Sequence, residues 1–213
     1  MTTEGEVPLQ NRVDPFGELF ATLARSLFMG NRGGRFHRDD RTLGQRRWVS
    51  RCWICCRLEF KGRHRNVWGK GYTELFFLDE PTALAAGHRP CFECRREDAR
   101  AFAGAIATAL GWRAPPRVAE MDAILHAERL DGRAKRTHRR ALDDLPDGAF
   151  LTLSEAPGAF AVRGAALLQW TPGGYTARRK RLRAGTVEVL TPPAILAVLA
   201  AGYRPRWHPS ADG

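Results

Sequence analysis

Residues 74–98 read ELFFLDEPTALAAGHRPCFECRRED, and several local signals follow one another within this stretch. Residues 74–78 form an apolar run that predicts a strand. Pro81 predicts the start of a short helix and Gly87 predicts its end, because proline fits the first helical turn and glycine the left-handed position after the last one. A Pro-Cys-x-x-Cys motif follows, and small and apolar residues then continue at helical spacing to residue 110. The stretch therefore predicts a strand and two helices around a cysteine pair.

The cysteine pair belongs to a set of five, divided along the chain into a group of three and this pair. An odd, clustered set favours a metal site or a reactive thiol over disulfides. Zinc takes four ligands tetrahedrally, and Cys91 and Cys94 have the spacing of one ligand pair. Upstream, Cys52 forms a second pair with either Cys55 or Cys56, and the spacing leaves both choices open. We expect a zinc site built from four of the five cysteines.

The motif before the cysteine pair recurs near the C-terminus. Residues 81–90 and 193–205 both end a helical pattern with Ala-Ala-Gly, a ring side chain and Arg-Pro. His88 thus takes the place that Tyr203 has in the second copy, and a ring after a helix-ending glycine commonly packs back on the helix. We therefore expect His88 to have a packing role rather than to bind the metal.

Other segments carry further local signals. Asp14 and Pro15 resemble a helix N-cap and first residue, and the apolar residues after them have helical spacing up to Gly30. Residues 118–130 predict another helix, and Pro192 opens a last one. The strands predicted from apolar runs bounded by Gly or Pro lie at 149–153, 159–162, 165–170 and 186–190.

Together these elements predict an α+β fold class, with a small zinc-binding module of short strands and helices followed by a strand-rich module with a C-terminal helix. We expect a boundary near residues 115 and 116, where two prolines stand next to each other. Residues 1–115 would then contain the N-terminal helix, a basic arm and the zinc-binding module. Residues 116–213 would contain a helix and the strand-rich module.

The chain has a formal net charge of +11, and part of this charge surrounds the first cysteine group. Residues 31–70 contain twelve Lys or Arg against three Asp or Glu. A basic block with interleaved aromatic residues is typical of a surface that contacts phosphates and stacks on bases. We expect Trp53 or Trp68 to offer the stacking face. The residues predicted to bind nucleic acid are Arg51, Trp53, Arg57, Lys61, Arg63 and Arg65.

The N-terminal residues lack the basic-then-apolar pattern of a signal peptide. The longest apolar run, residues 101–112, is too short to span a bilayer. We therefore expect a soluble, cytoplasmic protein with no membrane partner.

The stretch at residues 74–98 resembles the second half of the metal-binding domain of Ada-type DNA methyl-phosphotriester repair proteins, and the resemblance covers at most residues 48–97. The shared features are a strand ending in a Phe pair, a short Ala-rich helix, and Gly, a ring and Arg before Pro-Cys-x-x-Cys. The family also has an upstream Cys-x3-Cys pair, which Cys52 and Cys56 match. The resemblance implies zinc ligands Cys52, Cys56, Cys91 and Cys94. It also implies that Cys52 would be a methyl acceptor as well as a ligand.

We expect the protein to bind nucleic acid, DNA before RNA, through a basic surface around a zinc site. One alternative is an enzyme that modifies or repairs nucleic acid with a reactive zinc-bound Cys52. The chain reads RCWICCR where the family has prolines around its acceptor, and for this reason binding is expected before the repair reaction. Another alternative is a structural zinc protein whose partner is a protein.

Overall fold

The computed structural model describes residues 7–64, 66–181 and 185–213. It contains both helices and strands, with the strands in sheets and a helix near the C-terminus, which confirms the predicted α+β class. No helix among the described residues has the length and apolar character needed to cross a membrane.

In the part of the chain that the structure describes, the first sheet has six strands and holds Cys55 and Cys56. In chain order they are β1 (Arg12–Val13), β2 (Leu19–Phe20), β3 (Phe28–Arg32), β4 (Trp53–Arg57), β5 (Leu75–Phe77) and β6 (Arg89–Pro90). Their order across the sheet is β2-β1-β5-β3-β4-β6. Strand β3 pairs antiparallel with both β4 and β5, whereas β4 and β6 are parallel. This parallel pair brings the two cysteine groups together.

Four α-helices among the described residues pack beside the sheets. They are α1 (Glu80–Ala85), α2 (Arg96–Leu110), α3 (Val118–Arg129) and α4 (Pro193–Ala200). The Asp79 side chain caps α1 by accepting a hydrogen bond of 3.0 Å from the backbone N–H of Thr82. Gly87 follows α1 with φ of +83°, a conformation that favours glycine. The capping and glycine signals therefore place α1 where the sequence predicts it.

The second sheet is antiparallel throughout. Its strands are β9 (His138–Ala141), β10 (Phe150–Leu153), β11 (Ala156–Arg163), β12 (Ala166–Thr171), β13 (Gly174–Lys180) and β14 (Thr186–Val189), and a separate hairpin joins β7 (Leu130–Asp131) to β8 (Ala134–Lys135). The order across the sheet is β13-β12-β11-β10-β14-β9. Strands β10, β11, β12 and β14 lie where the sequence predicts strands. Strands β9 and β13 were not predicted, because the charged residues in these two strands interrupt the apolar run that indicates a strand.

The helix predicted after Asp14 is wrong. The segment instead forms a turn and then β2, which pairs antiparallel with β1 before Asp14. In this turn the Asp14 carboxylate accepts a hydrogen bond of 2.9 Å from the backbone N–H of Glu18. Gly17 in this turn has φ of +84°, which an α-helix does not allow. Leu23, one of the apolar residues at helical spacing, is exposed. The apolar spacing was therefore not the face of a helix.

The helices share one core that contains residues from both sides of residues 115 and 116. Leu84 of α1 and Phe102 of α2 pack in the same buried cluster as Met121 of α3 and Ile195 of α4. The segments expected to form two modules are therefore in direct contact through buried apolar side chains.

Candidate metal centre

Strand β4 decides which upstream cysteine meets the downstream pair. Successive side chains in a strand point to opposite faces, so Cys55 and Cys56 lie on different sides of the sheet. In the parallel pairing of β4 with β6, Cys55 lies beside Pro90. The next residues along the two strands are Cys56 and Cys91, and their sulfurs meet on one face. Cys94 reaches the same face from the turn before α2.

The sulfurs of Cys56, Cys91 and Cys94 all lie within 4.8 Å of one another, and the three residues are buried. The backbone N–H of Glu93 donates to the Cys91 sulfur over 3.4 Å. Such N–H donors stabilise negative charge on sulfur and orient it. Three converging sulfurs in a protein interior could hold a metal ion. We call Cys56, Cys91 and Cys94 the three-sulfur cluster.

The protonation of the three-sulfur cluster is uneven. The pKa of Cys91 is lowered, because the thiols of Cys56 and Cys94 donate hydrogen bonds to its sulfur. The same contacts raise the pKa of Cys56, whose thiol acts as a donor. A divalent cation would displace the remaining protons when it binds.

Cys55 lies in a different environment from its neighbour. It is completely buried in the apolar core of the first sheet, and Nη1 of Arg95 is 3.4 Å from its sulfur. Burial raises the pKa of this thiol. Cys55 therefore remains a neutral core residue, and Cys56 is the upstream cysteine that joins the cluster.

Cys52 lies outside the three-sulfur cluster. Cys52 directly precedes β4, whose first residue is Trp53. An extended strand rises ~3.3 Å per residue, so Trp53 and Cys56 are about 10 Å apart along the strand, and Cys52 lies farther still from Cys56. The four-cysteine set that the resemblance implied is therefore not assembled among the described residues. Nη2 of Arg89 is 3.5 Å from the Cys52 sulfur, yet burial raises the pKa of this thiol. A raised pKa disfavours the thiolate that a methyl acceptor needs.

A cleft of about 620 Å³ opens next to the three-sulfur cluster. Met29, Phe60 and Phe76 line this cleft and also pack against the sulfurs. Lys61 and Arg63 stand at its edge, and their charged groups lie 5.2 and 5.5 Å from the centre of the Phe60 ring. Glu59 and Glu74 also line the cleft. The cluster is thus adjacent to an open cleft that has basic side chains at its edge and carboxylates in its wall.

The basic residues predicted to bind nucleic acid do not form one surface. Arg57, Lys61 and Arg63 are exposed at or just after the C-terminal end of β4. Arg63 forms an exposed ion pair of 2.6 Å with Glu93. Arg51 is exposed as well, but it lies at the other end of β4. Arg65 is outside the described residues.

The predicted stacking residues are buried. Trp53 is only 2% exposed and packs against His88, with ring centres 5.0 Å apart. Trp68 is 3% exposed and stacks on His37, with ring centres 5.2 Å apart. Neither ring can stack on a base, because both faces and edges are covered by the protein. His88 has the packing role predicted for it and does not belong to the three-sulfur cluster.

The apolar neighbours of the sulfurs, Met29, Phe60 and Phe76, were not identified from the sequence. They lie on β3, after β4 and on β5, so their convergence depends on strand pairing. The ion pair of Arg89 with Asp122, which has contacts of 2.8 and 2.9 Å, was not identified either. It joins β6 to α3 and holds the segment that leads into Cys91.

Comparison of the chain with protein-family models, with curated proteins and with solved structures gives no significant match.

Proposed function

We propose that this protein binds one zinc ion through Cys56, Cys91 and Cys94 and binds nucleic acid through the basic edge of the adjacent cleft. The observation that carries the proposal is the buried three-sulfur cluster. Thiolates are soft ligands that favour zinc over magnesium or calcium. Three protein ligands leave one tetrahedral position for a group outside the cluster, as in zinc sites that exchange a ligand.

The nucleic-acid part of the proposal rests on charge and position. Arg57 directly follows a cluster cysteine, and Lys61 and Arg63 stand at the mouth of the cleft. The metal would fix the end of β4 that carries these cations, so their orientation toward a phosphate backbone would be set. Phosphate contacts give affinity without reading sequence. We therefore expect little sequence preference, with DNA as the first ligand to test.

The metal part is tested by measuring zinc in the purified protein and in single variants. We expect about one zinc per chain in the wild type, and loss of most of it in Cys56→Ser and Cys91→Ser, because each removes a thiolate. Cys55→Ala is the matched control, since it changes the adjacent residue on the other face of β4. Retention of zinc in both serine variants, or equal loss in Cys55→Ala, would overturn the assignment.

The nucleic-acid part is tested by charge reversal. Replacing Arg57, Lys61 and Arg63 by Glu should weaken binding to a DNA duplex and reduce the slope of log affinity against log salt by about 2 to 3, because each lost phosphate contact removes about 0.9. Replacing three exposed arginines elsewhere by Glu makes the same change in net charge. These control positions are Arg100, Arg113 and Arg139. Equal weakening in the two triple variants would mean that only the total charge matters, against the proposal.

A further inference from the structure

A second cavity, whose lining contains no residue of the three-sulfur cluster, has several basic side chains in its wall. It is narrow, about 30 Å³, and lies between the turn after β1, strand β3, helix α3 and the hairpin of β7 and β8. Arg32, Arg129 and Lys135 line its inner part, and Arg47 and Arg133 line its mouth. Both Arg32 and Arg129 are only 1% exposed.

The two buried guanidinium groups donate hydrogen bonds only to neutral acceptors among the described residues. Arg32 donates through Nη2 to the carbonyl of Gly17 over 2.8 Å, through Nε to Nε2 of His88 over 3.3 Å and through Nη1 to the carbonyl of Arg47 over 3.4 Å. Arg129 donates through Nη1 to the carbonyl of Gly87 over 2.9 Å, and through Nη2 to the carbonyl of Arg51 and to Nδ1 of His126, each over 2.8 Å. Its Nε is buried without a partner in the described chain. A buried charge without a counter-charge is strongly unfavourable.

Lys135 adds a third cation to the same cavity. Its ammonium group donates to the carbonyl of Ala85, which is again a neutral acceptor. The guanidinium carbons of Arg32 and Arg129 lie 4.0 and 3.9 Å from the ring centre of Trp53. Both guanidinium groups therefore pack against the same indole ring, which lines the cavity.

Other buried arginines of this protein are paired with carboxylates. Arg89 contacts Asp122 at 2.8 Å, and Arg95 contacts Glu80 at 2.7 Å. Among the described residues, none of the three inner cations of the second cavity has a carboxylate within 4.0 Å. Buried arginines elsewhere in the fold thus have a carboxylate partner, whereas the inner cations of this cavity do not.

Two carboxylates lie near the cavity without pairing to its cations. Glu18 lines the mouth and is exposed, and Asp14 accepts its backbone hydrogen bond in the preceding turn. Desolvation lowers the pKa of Arg32 and of Arg129 to about 9, and it lowers the pKa of Lys135 to about 7. The positive charge in the cavity is therefore only weakly compensated by the protein itself.

We infer that this cavity binds a small oxyanion of the phosphate type, with Arg32, Arg129 and Lys135 as its inner ligands. Guanidinium groups donate two hydrogen bonds in a plane that matches phosphate oxygens, and lysine adds a point charge. The anion would supply the missing counter-charge and accept from the free Nε of Arg129. The Trp48 ring also lines the cavity, so an organic group carried by the phosphate would meet an aromatic face. This inference does not depend on metal binding.

Thermal unfolding of the full chain tests the site with inorganic phosphate as the probe, at constant ionic strength set by sodium chloride. A ligand that binds the folded state raises the midpoint in a saturable way. We expect such a rise with phosphate and an affinity about tenfold or more weaker in Lys135→Gln, which loses one charge-assisted hydrogen bond. The matched control is Lys180→Gln on the exposed edge strand β13, which should leave the affinity unchanged.

Arg133→Gln provides a second variant, because Arg133 is exposed at the mouth and its loss leaves the buried groups in place. It should weaken phosphate binding less than Lys135→Gln does. A nucleoside 5′-monophosphate, compared with the unphosphorylated nucleoside, distinguishes a phosphate ester from free phosphate as the ligand. The inference is overturned if phosphate stabilises no more than chloride, or if Lys180→Gln weakens binding as much as Lys135→Gln.

Discussion

Glu80 is a completely buried carboxylate in the first turn of α1, and residues from distant parts of the chain donate to it. Arg95 donates over 2.7 Å, the hydroxyl of Tyr203 over 2.6 Å and the backbone N–H of Arg206 over 2.9 Å. Burial of a carboxylate is tolerated only when such donors replace water. The charge of Arg95 is therefore needed to balance the buried Glu80 carboxylate and does not act at the surface.

We predict that Arg95→Met lowers the free energy of unfolding by about 3 to 5 kcal/mol, because it leaves the Glu80 carboxylate buried without its counter-charge. Arg63→Met is the control, since Arg63 pairs with Glu93 at a similar distance, 2.6 Å, but in an exposed position. An exposed pair contributes about 0 to 1 kcal/mol. Urea unfolding of both variants measures the difference, and similar losses would contradict the role assigned to burial.

At the scale of elements, β3 lies in the middle of the first sheet between β5 and β4. Its close pairing with β4 requires a glycine. Gly30 pairs with Cys55 of β4 on one side and Leu75 of β5 on the other. A Cβ atom at this position would lie 2.1 Å from the carbonyl oxygen of Ile54 and 2.8 Å from the Phe77 ring. The first contact involves backbone, so relief would require the two strands to move apart.

We predict that Gly30→Ala lowers the free energy of unfolding by about 1 to 3 kcal/mol or more, as overpacking does in a closely packed interior. Gly104→Ala is the matched control, because Gly104 lies inside α2 and a Cβ there would meet no atom within 4 Å. It should raise stability by about 0.5 to 1 kcal/mol through the better helix propensity of alanine. Chemical unfolding measures both, and a stable Gly30→Ala protein would mean that β3 and β4 are not this close.

The elements also differ in how far they follow from local sequence. Helix α1 has its own signals, an aspartate cap, a proline and a terminating glycine, and these act within a few residues. The segment after Asp14 carries a helical spacing of apolar residues, but Gly17 and the pairing of β1 with β5 override it. Spacing alone does not show which partner buries the apolar side chains.

At the scale of the molecule, residues 116–213 supply partners for buried groups of residues 1–115. The hydroxyl of Tyr175 and the backbone N–H of His208 donate to Asp79, which caps α1, over 2.9 and 3.1 Å. Met121 and Ile195 close the core over Leu84. The first 115 residues therefore contain buried carboxylates and apolar surface whose partners come later in the chain.

We predict that residues 1–115 expressed alone do not unfold cooperatively, because Asp79 and Leu84 lose these partners. Mixing with residues 116–213 should restore a cooperative transition and the wild-type near-ultraviolet circular dichroism spectrum. The full chain serves as the reference for both measurements. A cooperative transition in the isolated N-terminal fragment would show that the expected boundary near residues 115 and 116 does separate two independent modules.

The sequence by itself determined the α+β class, helices α1, α2, α3 and α4, and the pair of Cys91 and Cys94 as members of one site. These features follow from caps, glycines, prolines and spacings, which are interactions between residues close in the chain. The sequence also indicated Cys56 through a family resemblance, although the Cys-x3-Cys pairing with Cys52 on which that choice rested is not formed.

Only the tertiary structure decided which side chains face the cluster and which are buried. Cys55 and Cys56 are adjacent in sequence, yet the pairing of β4 with β6, more than thirty residues later, turns one into the core and the other toward Cys91. Trp53 looked like a stacking surface because its neighbours are basic, but two of the cations that cover it come from β3 and α3. Burial depends on contacts between distant residues, and no local pattern contains that information.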